Sequence, residues 1–288
     1  MSNNRHIDDV EVKKANILHH DVEAGFFERV HPEGSSVYEK TKVMRSIAFI
    51  AGNSVARDLC VDVGCGTGFV TSFEVKLYRN VVAIDISSRM IEVARKRLGG
   101  FDSLNLLVCD AELLPLKNEI ANLVSISSVL HHLPRPFNSM NEISRVLKIG
   151  GFVYVTREPN FRRFRRFFDF FDRIIVQKVA MLVQRLLDFK SRIPEHNIIV
   201  EGLDYAKVDI HYSKGIFIEE LTGFLRSMLF DVVSAYSYHW IYPDSDAGTL
   251  QKLLTRSNFV IEKIPLSNKL GRYVSIVAQK LEGRHGLY

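Results

Sequence analysis

The chain has 288 residues, of which 47% are hydrophobic, 25% charged and 10% aromatic. Those proportions exclude a disordered, collagen-like or disulfide-scaffold protein and leave room for a large core. The net charge is +5, yet residues 157–192 hold ten Lys/Arg against four Asp/Glu, so the rest of the chain is close to neutral. One local basic feature is expected, not a surface that coats nucleic acid. No apolar run approaches the ~20 residues of a membrane-spanning helix. The opening residues, MSNNRHIDDVEVKK, lack the apolar stretch of a secretory signal. A cytoplasmic location is therefore expected.

In chain order, residues 8–51 read as helical, broken at His31–Gly34 and restarted behind a Ser35-Ser36 cap. Leu59–Val63 is a short apolar run ending in glycines, the pattern of a buried parallel strand. A short helix is expected from about Phe69 to Leu77, then a strand over Val81–Ile84 ending at Asp85. Ser87–Leu98 reads as a capped helix stopped by Gly99-Gly100. Strands follow at Leu104–Val108 and Asn122–Ser127, a helix at Phe137–Leu147 and a strand at Phe152–Thr156. After residue 200 a helix (Ile218–Met228) and two strands (Phe230–Tyr238, Tyr273–Gln279) resume the pattern. Residues 244–270 stay ambiguous, with Ala247–Arg256 helical and Phe259–Ile264 a possible strand.

This alternation implies right-handed β-α-β crossovers. The expected fold is α/β, a doubly wound, mostly parallel seven-stranded sheet. Residues 1–52 would form a helical cover, 53–156 the ligand-binding core, 157–215 a basic aromatic helical lid and 216–288 the closing part of the sheet. Ligands on such sheets sit beyond the carboxyl ends of the strands. Three cysteines without a C-x-x-C pair read as reduced thiols, and the pairs His19-His20 and His131-His132 lack ligand spacing, so no metal is expected.

The sharpest local signal is Val61-Asp62-Val63-Gly64-Cys65-Gly66-Thr67-Gly68 between a strand and a helix. Glycines there allow a tight turn and close approach of a ligand to the backbone, and the N–H groups behind them suit an anionic group. The dinucleotide fingerprint would need glycine where Phe69 stands.

The segment resembles the first motif of the class I S-adenosylmethionine-dependent methyltransferases, in the branch acting on small molecules and lipids. That resemblance continues in order and covers residues 58–156. It implies S-adenosylmethionine as cofactor, held around Asp62, Gly64, Cys65, Gly66 and Gly68. Asp85 would take both ribose hydroxyls, Ile86 would lie on the adenine face, and Asp110-Ala111 would meet the adenine amino group. Ser127, opening Ser-Ser-Val-Leu-His-His-Leu, would line the methionine end. Tyr38, in the leader, is a candidate for the methionine carboxylate, with His20-Asp21 beside it. Arg145–Gly151 resembles the family's turn into strand five. Asp85→Ala is expected to abolish cofactor binding with little unfolding.

Methyl transfer needs an aligned nucleophile and, where the acceptor loses a proton, a base. His131 or His132 would be that base, and His211-Tyr212 could face the acceptor from the lid. Residues 161–190 carry Phe161, Phe164, Phe168 and Phe171 at helical spacing among arginines. Three uses are open: a packed lid, a peripheral contact with anionic lipid, or phosphate binding to nucleic acid, which the apolar stripe disfavours. The expected function is methyl transfer to a small or lipid-like acceptor. The alternatives are an RNA or protein methyltransferase using the basic insertion, and a non-catalytic cofactor-binding partner subunit.

Overall fold

The structure is a computed structural model that describes residues 8–31, 34, 36–160, 205–208, 215–238, 256, 258–263 and 271–283. The aromatic stripe of 161–190, His211-Tyr212, Ser35 and the helix expected over 247–255 lie outside the described residues.

Three helices precede the sheet: α1 (Asp9–Glu23), α2 (Phe27–Val30) and α3 (Val37–Asn53). Each long one starts where a side chain can satisfy the orphan N–H groups of a first turn. Asp8 accepts from the Val10 N–H, and Ser36 accepts from the Glu39 N–H. The sheet follows with β1 (Leu59–Val63), α4 (Thr71–Glu74), β2 (Asn80–Asp85), α5 (Ser88–Leu98), β3 (Leu104–Val108) and β4 (Ala121–Ser127). A 3-10 turn at Leu130–His132 leads to α6 (Pro136–Val146) and β5 (Leu147–Pro159). Then come α7 (Tyr205–Val208), α8 (Ile218–Ser227), β6 (Phe230–Tyr238) and β7 (Tyr273–Lys280).

The seven strands lie in the order β3-β2-β1-β4-β5-β7-β6. β1 to β5 pair in parallel, while β7 is antiparallel to both β5 and β6. Alternating residues of the central strands feed two cores. Val61, Val63, Val124, Ile126, Val153 and Val155 pack with Met140, Ile143 and Val146 of α6 and with Leu221 and Leu225 of α8. Cys60, Leu123, Phe152 and Tyr154 face the other way, against Val43, Ile47 and Ile50 of α3. Burial on both faces explains the uninterrupted apolar runs. At about 1.5–3 kcal/mol per large aliphatic side chain, these layers hold the strand ends in place.

Four local expectations are corrected. Only Thr71–Glu74 is α-helical in the expected 69–77 segment, because turns closed over three residues (Phe73 N–H to Val70, Leu77 N–H to Glu74) tighten both ends. β5 begins at Leu147, which pairs with Ala121, and it runs on through Pro159 opposite Tyr273. Arg157 and Glu158 are therefore sheet residues, not the start of an insertion. Residues 258–261 are helical, not extended. Among the described residues no helix is long and apolar enough to cross a membrane.

Candidate active site

From β1 the chain winds outward to β2 and β3, then returns past β1 to β4, so the loops after β1 and β4 meet at a topological switch point. A cleft of about 530 Å³ opens there, covered by α1 and α2. Its lining includes Gly64, Cys65 and Gly66 after β1, Asp85 and Ile86 after β2, Asp110 and Ala111 after β3, and Ser127, His131 and His132 after β4. Asp62 also reaches it. The structure thus brings these eleven expected residues together, with His20 of α1 beside them.

The glycine loop is shaped by its backbone. Gly64 and Gly66 have φ of +68° and +54°, a region that L side chains rarely adopt. At Gly64 a Cβ would lie 2.1 Å from Val129 Cγ2, so the β1 and β4 loops touch through the missing side chain. At Gly66 nothing among the described residues lies within 4 Å of the Cβ position. That open space faces the cleft, and it is the cradle an adenosyl ligand would fill.

Asp85 fits the same ligand. Its Oδ2 accepts from the Gly66 N–H at 2.8 Å and its Oδ1 from the Ser87 N–H at 2.9 Å. The carboxylate joins the loop to the start of α5, and each oxygen keeps a lone pair for a hydroxyl. Burial raises its pKa, against the charge of His20 and these two N–H bonds. The side chain thus carries two structural hydrogen bonds besides any ligand contact, so the little unfolding expected of Asp85→Ala includes their loss. Asp110 Oδ2 lies 2.7 Å from Lys13 Nζ, which also reaches Glu112 at 2.6 Å. This ion pair fastens α1 over the end of β3.

Three residues sit elsewhere. Gly68 (φ +84°) does not line the cleft; a Cβ there would lie 2.6 Å from Leu98 Cδ1, so this glycine admits α5. Tyr38 is fully buried, donating to Glu262 Oε2 at 3.1 Å and packing edge-on against Phe259. Its ring serves packing and does not reach the cleft. Asp21 likewise leaves the cleft to accept from Ser87 Oγ at 2.5 Å, tying α1 to α5.

Asp62 is held from behind by Thr71 Oγ1 at 2.5 Å and Ser125 Oγ at 3.1 Å, and Ser125 also lies 2.6 Å from the buried Glu74 Oε1. Burial pushes Asp62 up to about 6, against the Thr71 and Ser125 bonds, and drives Glu74 well above the usual carboxylate range. One proton shared across Ser125 satisfies this chemistry, since two buried neighbouring carboxylates do not both ionise at low cost.

The two histidines differ. His132 Nδ1 donates to the Val208 carbonyl at 2.9 Å, which docks α7. His131 Nδ1 lies 2.8 Å from Glu158 Oε2, and both side chains are almost wholly buried. Glu158 also accepts from the N–H groups of Val129 (2.7 Å) and Leu130 (2.9 Å). Burial alone would raise Glu158, but the His131 contact and these N–H bonds outweigh it and hold the carboxyl below its ordinary range. An ionised Glu158 makes Nδ1 the donor, so the neutral ring carries its lone pair on Nε2. Glu158 was missed in the sequence because it was grouped with the basic stretch. Its signal was a carboxylate at the carboxyl end of a central strand. Ser128 and Arg157, at the ends of β4 and β5, have φ of +59° and +61° and both border the cleft. Strained non-glycine residues of this kind gather at functional sites.

Comparison with known proteins finds relatives of this chain. Residues 61–155 match the family model described as a methyltransferase domain. A demethylmenaquinone methyltransferase of Clavibacter sepedonicus is 29% identical over 167 residues, 52% of this chain and 66% of that protein. A malonyl-[acyl-carrier protein] O-methyltransferase of Marinomonas sp. (strain MWYL1) is 30% identical over 119 residues, 40% of this chain and 43% of that protein. The chain thus spans less than two thirds of the length of these relatives. Phosphoethanolamine N-methyltransferase 1 of Haemonchus contortus, solved with phosphoethanolamine and S-adenosylhomocysteine, superposes with a TM-score of 0.59 over 99% of this chain and 52% of that one. At 12% identity it shows a shared fold.

Proposed function

We propose that this chain, whose residues 61–155 match a methyltransferase-domain family model, uses S-adenosylmethionine to transfer a methyl group to a small, amphiphilic acceptor, with His131 as base and Glu158 as its positioning partner. Gly64, Cys65, Gly66, Asp85, Ile86, Asp110 and Ala111 would hold the cofactor, and Ser127 would border its methionine end. S-adenosylmethionine, when bound, supplies a methyl group already activated on a sulfonium. The protein's own contribution is alignment, exclusion of water and removal of one proton from the acceptor.

The observation that carries this reading is the buried His131–Glu158 pair, 2.8 Å apart at the cleft wall formed by the ends of β4 and β5. Glu158 orients the ring and stabilises the imidazolium formed when Nε2 takes the acceptor's proton. The amphiphilic class is supported by the relatives named for demethylmenaquinone; another is named for malonyl-[acyl-carrier protein]. A hydroquinone-type ring with an apolar tail suits a base at the cleft and the apolar lining of Phe27 and Val30. We place the protein in the cytoplasm, with residues 161–190 meeting anionic lipid.

The test is transfer of labelled methyl from S-adenosylmethionine to a reduced, short-chain demethylmenaquinone. His131→Gln should cut kcat about 10²–10⁴-fold, the range of general-base removal, while calorimetric affinity for S-adenosylhomocysteine stays at the wild-type value. Undiminished turnover in that variant would sink the base assignment. No transfer by the wild type, with cofactor binding intact, would favour a non-catalytic subunit. Flotation with anionic vesicles at low salt should carry the chain upward; a chain left at the bottom would remove the lipid contact.

A further inference from the structure

Helix α1 turns three ligand-type side chains toward one point at the rim of the cleft. His19 stands four residues and His20 three residues before Glu23, the two spacings that make helical neighbours. His19 Nε2 lies 3.6 Å and His20 Nδ1 3.7 Å from Glu23 Oε2. One donor atom from each of the three falls within 4.8 Å of the others. His31, behind α2, brings its Nε2 to 3.0 Å from the second oxygen, Glu23 Oε1. Two segments of the cover therefore converge on one carboxylate.

The two oxygens of Glu23 are not equivalent. Oε1 has the His31 ring nitrogen within hydrogen-bond length. Oε2 is buried and, among the described residues, makes no hydrogen bond, because 3.6 and 3.7 Å exceed hydrogen-bond length. A carboxylate oxygen out of water and without a hydrogen-bond partner is costly unless a cation stands close by. Around a tetrahedral ion with ligand bonds of ~2.0–2.1 Å, neighbouring donor atoms sit about 3.3–3.4 Å apart. The separations seen here close to that value with small rotations of the two rings. Imidazole nitrogens with one carboxylate are the donor set of borderline dications, not of calcium or magnesium.

We propose that His19, His20 and Glu23 bind one transition-metal dication of the zinc type, with His31 bracing the carboxylate through its other oxygen. The ion and this brace together would clasp α1 to the chain behind α2 and so fix the cover over the cleft. The competing account is a metal-free cluster in which protonated imidazoles neutralise Glu23. The adjacent-histidine pattern alone pointed away from a metal because it left out Glu23 and His31.

The deciding experiment is calorimetric titration of the chelator-stripped full chain with Zn²⁺ alone at neutral pH, beside thermal melts with and without the metal. Binding of one ion per chain is expected, with a rise in melting temperature. The His19→Gln/His20→Gln double variant and Glu23→Gln should each weaken binding by more than about tenfold, the scale on which even outer-shell changes act. Absence of binding, or the same affinity in wild type and variants, overturns the site in favour of the metal-free cluster. If either variant melts early, Co²⁺ added to the wild type decides. Ligand-field bands of a four-coordinate nitrogen–oxygen site support the proposal, and the spectrum of aqueous Co²⁺ refutes it.

Discussion

Adding one methyl group to each glycine of the β1 loop should separate the loop's structural work from its binding work. Gly64→Ala meets two costs. Its φ of +68° is left-handed, worth about 1–2 kcal/mol for an L residue. Its Cβ would also lie 2.1 Å from Val129 Cγ2, an overlap that only displacement of the β4 loop relieves, at a further ~1–3 kcal/mol. The sum, about 2–5 kcal/mol, is a large share of a domain's stability. Gly66→Ala meets only the first cost, because nothing among the described residues lies within 4 Å of its Cβ position. It should lose about 1–2 kcal/mol of stability, yet place a methyl group in the space a cofactor must occupy. Urea unfolding and calorimetric titration with S-adenosylhomocysteine, run on both variants, measure the two effects independently. Gly64→Ala is expected to be the less stable of the pair, and Gly66→Ala to fold with cofactor affinity reduced by at least about a hundredfold, or roughly 3 kcal/mol. Wild-type affinity in Gly66→Ala, or equal destabilisation in both, would refute the division of roles.

Asp85→Ala should abolish binding of S-adenosylhomocysteine and, through the lost bonds to Gly66 and Ser87, also cost about 2–4 kcal/mol in urea unfolding; unchanged stability would show those bonds to be dispensable. Glu158 has its folded pKa lowered, so its contribution is present above the unfolded value of about 4.3 and is lost as pH falls through the folded one. Melting temperature should therefore drop steeply in acid, and less steeply in Glu158→Gln; parallel curves would contradict the assignment. Asp62 is the opposite case, raised to about 6 from an unfolded value near 3.9, so its contribution is full below about pH 4 and is lost as pH rises through 6. Lowering pH from 7 to 5 should raise stability by about 1.3 kcal/mol, and Asp62→Asn, which removes the titrating carboxyl, should flatten that rise.

Local chemistry made much of the fold legible in advance. An apolar run of five residues, Leu59–Val63, followed by three glycines in five positions can be little else than a buried strand and a tight turn. Ser87 ahead of α5 announced its cap, and the cap is there, with Ser87 Oγ accepting from the Met90 N–H at 3.1 Å. The carboxylates Asp85 and Asp110 stand at the ends of β2 and β3, as their positions after apolar runs implied. Where reading failed, the deciding partner lay far away in sequence. Tyr38 was assigned to the cleft, but Glu262, 224 residues on, draws its hydroxyl elsewhere.

Periodicity, punctuation and the order of strands and helices were thus readable from the residues alone, because all are properties of neighbours within a few positions. Only tertiary structure decided that β7 enters antiparallel between β5 and β6, that Lys13 crosses 97 residues to Asp110, and that Glu158 turns back to grip the backbone of Val129 and Leu130. Those contacts form because burial makes an unpartnered charge or N–H expensive. Which group satisfies it depends on which strand ends the core has already brought side by side.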